Sequence, residues 1–368
     1  MIPKQNFAAT MTDDSEHDSH TPKRPRTSVA PSSTALTVID SDRPSGGGLA
    51  EPTLLLTGHT GSIYALSYSP SGHALASASF DCSVLLWSPY GYCTNYAVLS
   101  PNHKNAVLDV RWTFDSSHLI TAGADAALGY YDALSGRRLR RLMGHDGIVN
   151  SVCAPRGASA ISFISGSDDG YMRVWDVRVA GGRGRKAVVA SARVLEETTC
   201  PVTAVALSAD MLRAYVGGVD ENITCVDLRK MDTVRPLYRM SGHGDTITGL
   251  ELSPDGNALL SHGIDGAMRE WDVRNYVPNG SRRMKKTFLG ARGNAERGLL
   301  KCAWSGDGTM VSGGSADRVV HVWDEMTAEE LYSLPGHKGC VNCVAFHPTQ
   351  KIIASGSSDK NIYVGELS

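Results

Sequence analysis

His59, His145, His243 and His337 each precede an aspartate by a near-constant interval, at Asp81, Asp169, Asp265 and Asp359, with serines between them. A hydroxyl, an imidazole and a carboxylate are the parts of a nucleophilic triad, in which the carboxylate orients the imidazole and the imidazole takes the hydroxyl proton. An enzyme needs such a set once. This chain repeats it, and three copies place a Trp six residues after the Asp, at Trp87, Trp175 and Trp271. Repetition at a fixed period points to structure, a buried hydrogen-bond chain from His through Asp and Ser to the Trp indole. Leaving one member buried and unpaired would cost about 1–3 kcal/mol, which is reason enough to keep the set intact.

Other reactive patterns are weaker. Cys340 and Cys343 form a C-x-x-C with no second pair or His nearby, inside an alternating apolar segment, so core thiols are expected rather than a zinc site. Gly181-Gly182-Arg183-Gly184-Arg185-Lys186 lacks the trailing Lys-Ser/Thr of a phosphate loop and reads as a surface insert. Arg183, Arg185 and Lys186, and separately Arg282, Arg283, Lys285 and Lys286, would touch RNA phosphate only if they converged in space. No aromatics are interleaved with them to stack bases, so plain solvation is the expectation. No cofactor, metal or catalytic residue is assigned.

The elements that position these residues follow from the period. Asp81, Asp125, Asp169, Asp220, Asp265, Asp317 and Asp359 are followed six residues on by Trp87, Tyr131, Trp175, Val226, Trp271, Trp323 and Gly365. An acid comes next in all but the first copy, which has Ser88. Gly-His pairs at residues 58–59, 144–145, 242–243 and 336–337, with Asn102-His103 as a degenerate copy, open short alternating stretches such as Ile63 to Tyr68. Turns such as Pro254-Asp255-Gly256 and Gly306-Asp307-Gly308 separate them. A period of about 45 residues with four strands per repeat resembles the Gly-His to Trp-Asp signature of WD40 repeats.

The expected fold is all-β, a seven-bladed WD40 propeller over residues 51–368 with a disordered tail over 1–50. The last repeat stops after three strands, while Thr53-Leu54-Leu55-Leu56 stands alone ahead of the first Gly-His. That N-terminal strand is expected to complete the seventh blade and remove an exposed edge. Blade four has Thr198 where a His would stand and Val226 in place of Trp, and blade six has Ala295 at the His position. Those two blades are expected to be the softer ones.

Composition narrows the class of protein. With 42% hydrophobic and 20% charged residues the chain is an ordinary globular one, and a net charge of -2 gives no global attraction to nucleic acid. The 8 Cys are scattered through strand-like segments, as buried free thiols in a reducing compartment are. No apolar run reaches the roughly 18 residues of a membrane helix. Within the Ser-, Thr-, Pro- and Gly-rich tail, Lys23, Arg24 and Arg26 form a basic cluster that reads either as a nuclear-import signal or as a solvated charge run.

Residues between the repeat positions resemble one branch of the WD40 superfamily, the family of WD40 subunits of the U5 small nuclear ribonucleoprotein of the spliceosome. The similarity covers about residues 52–368. It is carried by Phe80-Asp81, by Tyr90-Gly91 with Cys93 and Asn95-Tyr96-Ala97, and by Gly166 to Gly170 with Val174 to Arg178. Leu299 to Cys302, Leu334 to His337 and the closing Tyr363-Val364-Gly365-Glu366 carry it further. What the resemblance implies is a non-catalytic scaffold in pre-mRNA splicing, in the nucleus, as a monomer within a large complex. Its implied partners are the large U5 proteins and other spliceosomal proteins, with mostly indirect contact to U5 RNA.

Two surfaces are candidates for that docking. On the top face, which carries the repeat Asp turns, Phe80 and Asp168 precede the Asp and are the expected anchors. On the bottom face Arg178, Arg229 and Arg274 each follow an Asp by two residues. That spacing also resembles the motif of WD40 substrate receptors of cullin-based ubiquitin ligases, the alternative function. A hydrolase would need convergent acids or metal ligands at the central channel, and the sequence assigns none.

Overall fold

The computed structural model describes residue 49 and residues 53–90, 94–99, 103–157, 162–178, 188–193, 200–233, 236–276, 283–293 and 298–367. Apart from Leu49 the tail expected over 1–50, with Lys23, Arg24 and Arg26, lies outside these residues. So do Arg183, Arg185, Lys186, Thr198, Arg282 and Ala295.

Among the described residues the strands form seven four-stranded antiparallel sheets. Their innermost strands are Ile63–Tyr68, Val107–Trp112, Val149–Cys153, Val202–Leu207, Ile247–Leu252, Cys302–Trp304 and Val341–Phe346, and they define blades one to seven. Each packs against the next, and Val341–Phe346 packs against Ile63–Tyr68, so the ring closes. The one helical element described is a short 3-10 segment at Leu228–Thr233.

Strand Thr53–Thr57 pairs antiparallel with Asn361–Glu366, so the seventh blade is built from both ends of the propeller, as expected. Leu56 is buried there beside Ile362 and Val364, and partly buried Leu49 packs on the same cluster. The apolar side chains fall into seven clusters, one in each wedge between neighbouring blades. Period-two alternation explains this, because both faces of every blade are covered by the next blade and both must be apolar.

A repeated irregularity joins the blades. In blades one to five and seven the register shifts immediately after the first residue of the inner strand, leaving the second residue outside the ladder. Such a bulge re-aims one side chain. In four blades that side chain reaches a carbonyl of the following blade: Asn150 to Val202 at 2.9 Å, Thr203 to Ile247, Thr248 to Leu300 at 2.7 Å, and Asn342 to Ile63 at 2.8 Å. Each bond gives a backbone carbonyl of the following blade a donor across the seam.

The seam between blades seven and one carries a further latch. The Nδ1 of His347 accepts from the backbone N–H groups of Thr349 and Gln350, at 3.2 and 3.0 Å, so its proton sits on Nε2. That Nε2 lies 2.8 Å from the Tyr90 hydroxyl and 3.1 Å from the Gly72 carbonyl, and the hydroxyl donates to Gln350 Oε1 at 2.7 Å. Gly72 is required there twice over: its φ is +77°, and a Cβ would sit 2.5 Å from His347 Nε2.

Candidate functional site

The repeated His-Ser-Asp set is assembled within single blades. In blade one the Trp87 indole N–H donates to Ser77 Oγ at 2.8 Å, Ser77 Oγ lies 2.7 Å from His59 Nε2, and His59 Nδ1 lies 2.9 Å from Asp81. Blade three repeats the arrangement with Trp175, Ser165, His145 and Asp169, and blade five with Trp271, Ser261, His243 and Asp265. The imidazole therefore stands between Asp and Ser, whereas the sequence reading ran the chain from His through Asp to Ser. A carboxylate on Nδ1 and a hydroxyl on Nε2 fix the neutral tautomer with its proton on Nδ1.

Electrostatics agree with that assignment. Burial holds His59 and His145 below the usual histidine range against the pull of their aspartates. Burial pushes Asp81 and Asp169 upward, but hydrogen bonds outweigh it and bring both to about 2. In blade one the donors are Ser83, Thr60 and His59; in blade three they are His145, Tyr171 and Asp146. The serine is locked between two buried groups, with Ser77 and Ser165 fully enclosed, so no substrate carbonyl can approach it.

Four blades depart from the pattern in different ways. His103, a degenerate copy in the sequence, makes the whole set in blade two: Nδ1 lies 2.9 Å from Asp125 and Nε2 lies 2.7 Å from Thr121 Oγ1, which also bonds Tyr131. Gly129 makes room, since a Cβ there would meet the Tyr131 ring at 2.4 Å. In blade six, where no His was expected, His321 on the third strand supplies one. Its Nε2 lies 2.9 Å from Asp317, its Nδ1 2.8 Å from Glu330, and its ring stacks on Trp323. Blade four has no such substitute among the described residues: Asp220 Oδ1 is buried without a hydrogen-bond partner, and burial raises its pKa. Blade seven keeps His337, Ser355 and Asp359, with the edge of Tyr363 against the imidazole in place of an indole.

On the top face Phe80 is 58% exposed, its ring edge-on to Tyr64 at 6.5 Å. Asp168 is also exposed, and one carboxylate oxygen accepts from Asn150 Nδ2 at 2.7 Å, the amide that stitches blade three to blade four. Phe80 and Asp168 belong to different blades and do not meet. On the bottom face Arg178, Arg229 and Arg274 share one geometry. The guanidinium chelates the preceding Asp at 2.8, 2.7 and 2.5 Å, while that arginine's backbone N–H donates to the same carboxylate. Each arginine side chain is more than half exposed, and the carboxylate behind it is largely buried.

In the basic insert of blade five the two lysines are paired with acids, and the arginine is held by a carbonyl and a ring. Lys285 pairs with Glu270 at 2.9 Å, Lys286 with Glu325 at 2.7 Å, and Arg283 caps the carbonyl of Asp272 while lying over the Tyr238 ring. Convergence on RNA phosphate is thus not what these three are arranged for. The thiols of Cys340 and Cys343 donate to different carbonyls, Ser315 and Gly356, and burial pushes Cys343 up to about 12.

Sequence reading missed the charges of the central channel. Asp109 and Arg111 in blade two, Arg156 in blade three, Glu251 in blade five and Lys301 in blade six converge there. Lys301 lies 2.5 Å from Asp109, Arg111 3.2 Å from Glu251, and Arg156 3.0 Å from the other Glu251 oxygen. Asp109 also accepts from Val152 N and Ser151 Oγ. Burial pushes Asp109 up, but Lys301 and Arg111 hold it below the usual carboxylate range. The signal was present as charged residues within otherwise apolar inner strands, Asp109, Arg111 and Glu251, or just beyond their ends, Arg156 and Lys301. Which ones meet across the channel was not.

Comparison with known proteins adds a family to this geometry. The WD domain, G-beta repeat model matches residues 50–88, 95–132, 136–176, 234–272, 286–324 and 328–364. A Dictyostelium discoideum protein named U5 small nuclear ribonucleoprotein 40 kDa protein is 41% identical over 87% of this chain and 85% of its own length. The chain belongs to the WD40-repeat family of U5 40 kDa proteins. The human U5 40 kDa protein is 40% identical over 90% of this chain and 88% of its own length. A Schizosaccharomyces pombe relative, pre-mRNA-splicing factor cwf17, is 36% identical over 86% of this chain and 88% of its own length. Within this U5 40 kDa family member, the repeat model passes over 177–233, most of blade four, the blade that lacks the His and Trp.

Proposed function

We propose that the chain is a non-catalytic docking subunit of the U5 small nuclear ribonucleoprotein, acting in pre-mRNA splicing in the nucleus. The observation that carries this is identity of about 40% over about 90% of the chain to relatives bearing that name. The physical reading agrees with it, because every triad-like set is consumed in holding a blade together. Its partners are the large U5 proteins and other spliceosomal proteins, reached through Phe80 and Asp168 on the top face and Arg178, Arg229 and Arg274 on the bottom. Contact with U5 RNA is mostly indirect, and the chain enters the particle as a monomer.

Purification of the tagged full chain from nuclear extract tests this. U5 RNA and splicing proteins are expected to co-elute, and Phe80→Ala is expected to reduce their recovery without lowering the melting temperature. Recovery of a ubiquitin-ligase adaptor and no RNA would overturn the proposal, and so would turnover abolished by one channel substitution.

A further inference from the structure

On the bottom face a cleft of about 470 Å³ opens between blades four and five, lined by Asp210, Leu212, Arg213, Arg229, Leu237, Tyr238, Asn275 and Arg283. We infer that it is a docking cleft for an acidic, leucine-bearing segment of a protein partner.

Charge is the first reason. Among the described residues three guanidiniums line the cleft against one carboxylate, Asp210, which pairs with Arg213 at 3.6 Å. The counter-ion of Arg229 lies behind it: the Arg229 side chain is 64% exposed and that of Asp227 only 7%. Arg229 is already held by Nε and Nη2 bonds to Asp227 at 2.9 and 2.7 Å. Arg283 is held by the Asp272 carbonyl and the Tyr238 ring, and Arg213 by the Val273 carbonyl at 3.4 Å. Cations fixed in advance lose little side-chain freedom when an anion arrives, so more of the attraction survives as affinity.

The apolar wall is the second reason, and it selects peptide over nucleic acid. Leu212 and Leu237 are 39% and 50% exposed at the same cleft and gain from covering by aliphatic side chains. A strand of bases needs a free aromatic face. Among the described residues Tyr238 is the one aromatic in the lining, and its face is covered by Arg283 at 3.8 Å. The volume falls in the range of pockets that enclose a few side chains.

This cleft rests on the docking role given to Arg229 and not on membership of any particle, so it is tested apart from it, with purified full chain alone. The probe is a fluorescein-labelled ten-residue peptide of Asp, Glu and Leu, compared with its Asn/Gln counterpart and with a ten-nucleotide oligouridylate. Saturable binding of the acidic peptide is expected, with Kd below about 100 μM at low salt and weakening as salt rises. Arg229→Glu, and independently the surface change Leu237→Asp, are each expected to weaken it about tenfold or more. Arg137→Glu, an exposed charge change on blade two away from the cleft, is expected to leave Kd within about twofold. Absence of saturable binding, equal binding of the neutral peptide, equal loss in Arg137→Glu, or tighter binding of the oligouridylate would each overturn the inference.

Discussion

Nζ of Lys301 lies 2.5 Å from Oδ1 of Asp109, an ion pair that crosses the central channel from blade six to blade two. The two blades are not neighbours in the ring, so the bond braces it internally in a way no wedge contact can. Asp109 is 1% exposed and Lys301 13% as side chains. Breaking one partner of a buried pair costs about 3–5 kcal/mol, mostly because the other charge is stranded. Lys301→Met is therefore expected to destabilise by about that amount in urea denaturation. Adding Asp109→Asn, which keeps the Val152 contact, is expected to restore at least part of it. If the double variant is less stable than the unaltered chain by the sum of the two single costs, the pair is not coupled.

Ser165 is the hinge of the blade-three chain, bonded to both Trp175 and His145. Ser165→Ala is expected to cost about 1–3 kcal/mol, since it leaves a buried indole N–H and an imidazole nitrogen unsatisfied together. Denaturation curves of the purified chain measure this directly, and a loss under about 0.5 kcal/mol would contradict it.

His321 joins Asp317 and Glu330, while Asp220 has an unpartnered buried oxygen. Amides of the turn at Asp220 are thus expected to exchange with solvent sooner than those at Asp317, and the Asp317 turn to resemble that at Asp169. His321→Gln is expected to bring the Asp317 turn down to the behaviour of blade four. Equal exchange at all three turns in the native chain would refute this.

Burial holds His59, His103, His145 and His337 below the usual histidine range. The unfolded chain then binds their protons from about pH 6.5 downward while the folded chain does not, so stability falls as pH drops below that value. Each such histidine contributes a slope of at most about 1.4 kcal/mol per pH unit. Asp81 and Asp169, brought to about 2 in the fold, add a second loss as pH falls from about 4 toward 2. Urea midpoints taken stepwise from pH 7.5 to 4.5 should decline below about pH 6.5, and a flat or rising profile would exclude neutral buried imidazoles.

What was legible in the sequence was what a single repeat contains. The four strands of a blade, the Gly-His opening and the Asp turn recur at fixed spacing. His59, Ser77, Asp81 and Trp87 all lie within one such stretch and find one another through local hairpins. Closure by Thr53–Thr57 was legible too, because the last repeat was one strand short. In blade six His321 reaches Asp317 from the third strand, four residues on, a position that the Gly-His spacing does not mark.

The sequence by itself determined the number of blades, the polarity of their faces and the residues that lock each one, because those depend on hairpins and on a period that any single copy expresses. Tertiary structure alone decided which residues of different blades meet. Lys301 finds Asp109, Tyr90 finds His347, and Lys286 finds Glu325. Those pairings follow from ring closure, which sets how far apart opposite inner strands stand, and from the bulges, which decide which side chain leaves its ladder. Neither leaves a mark within one repeat.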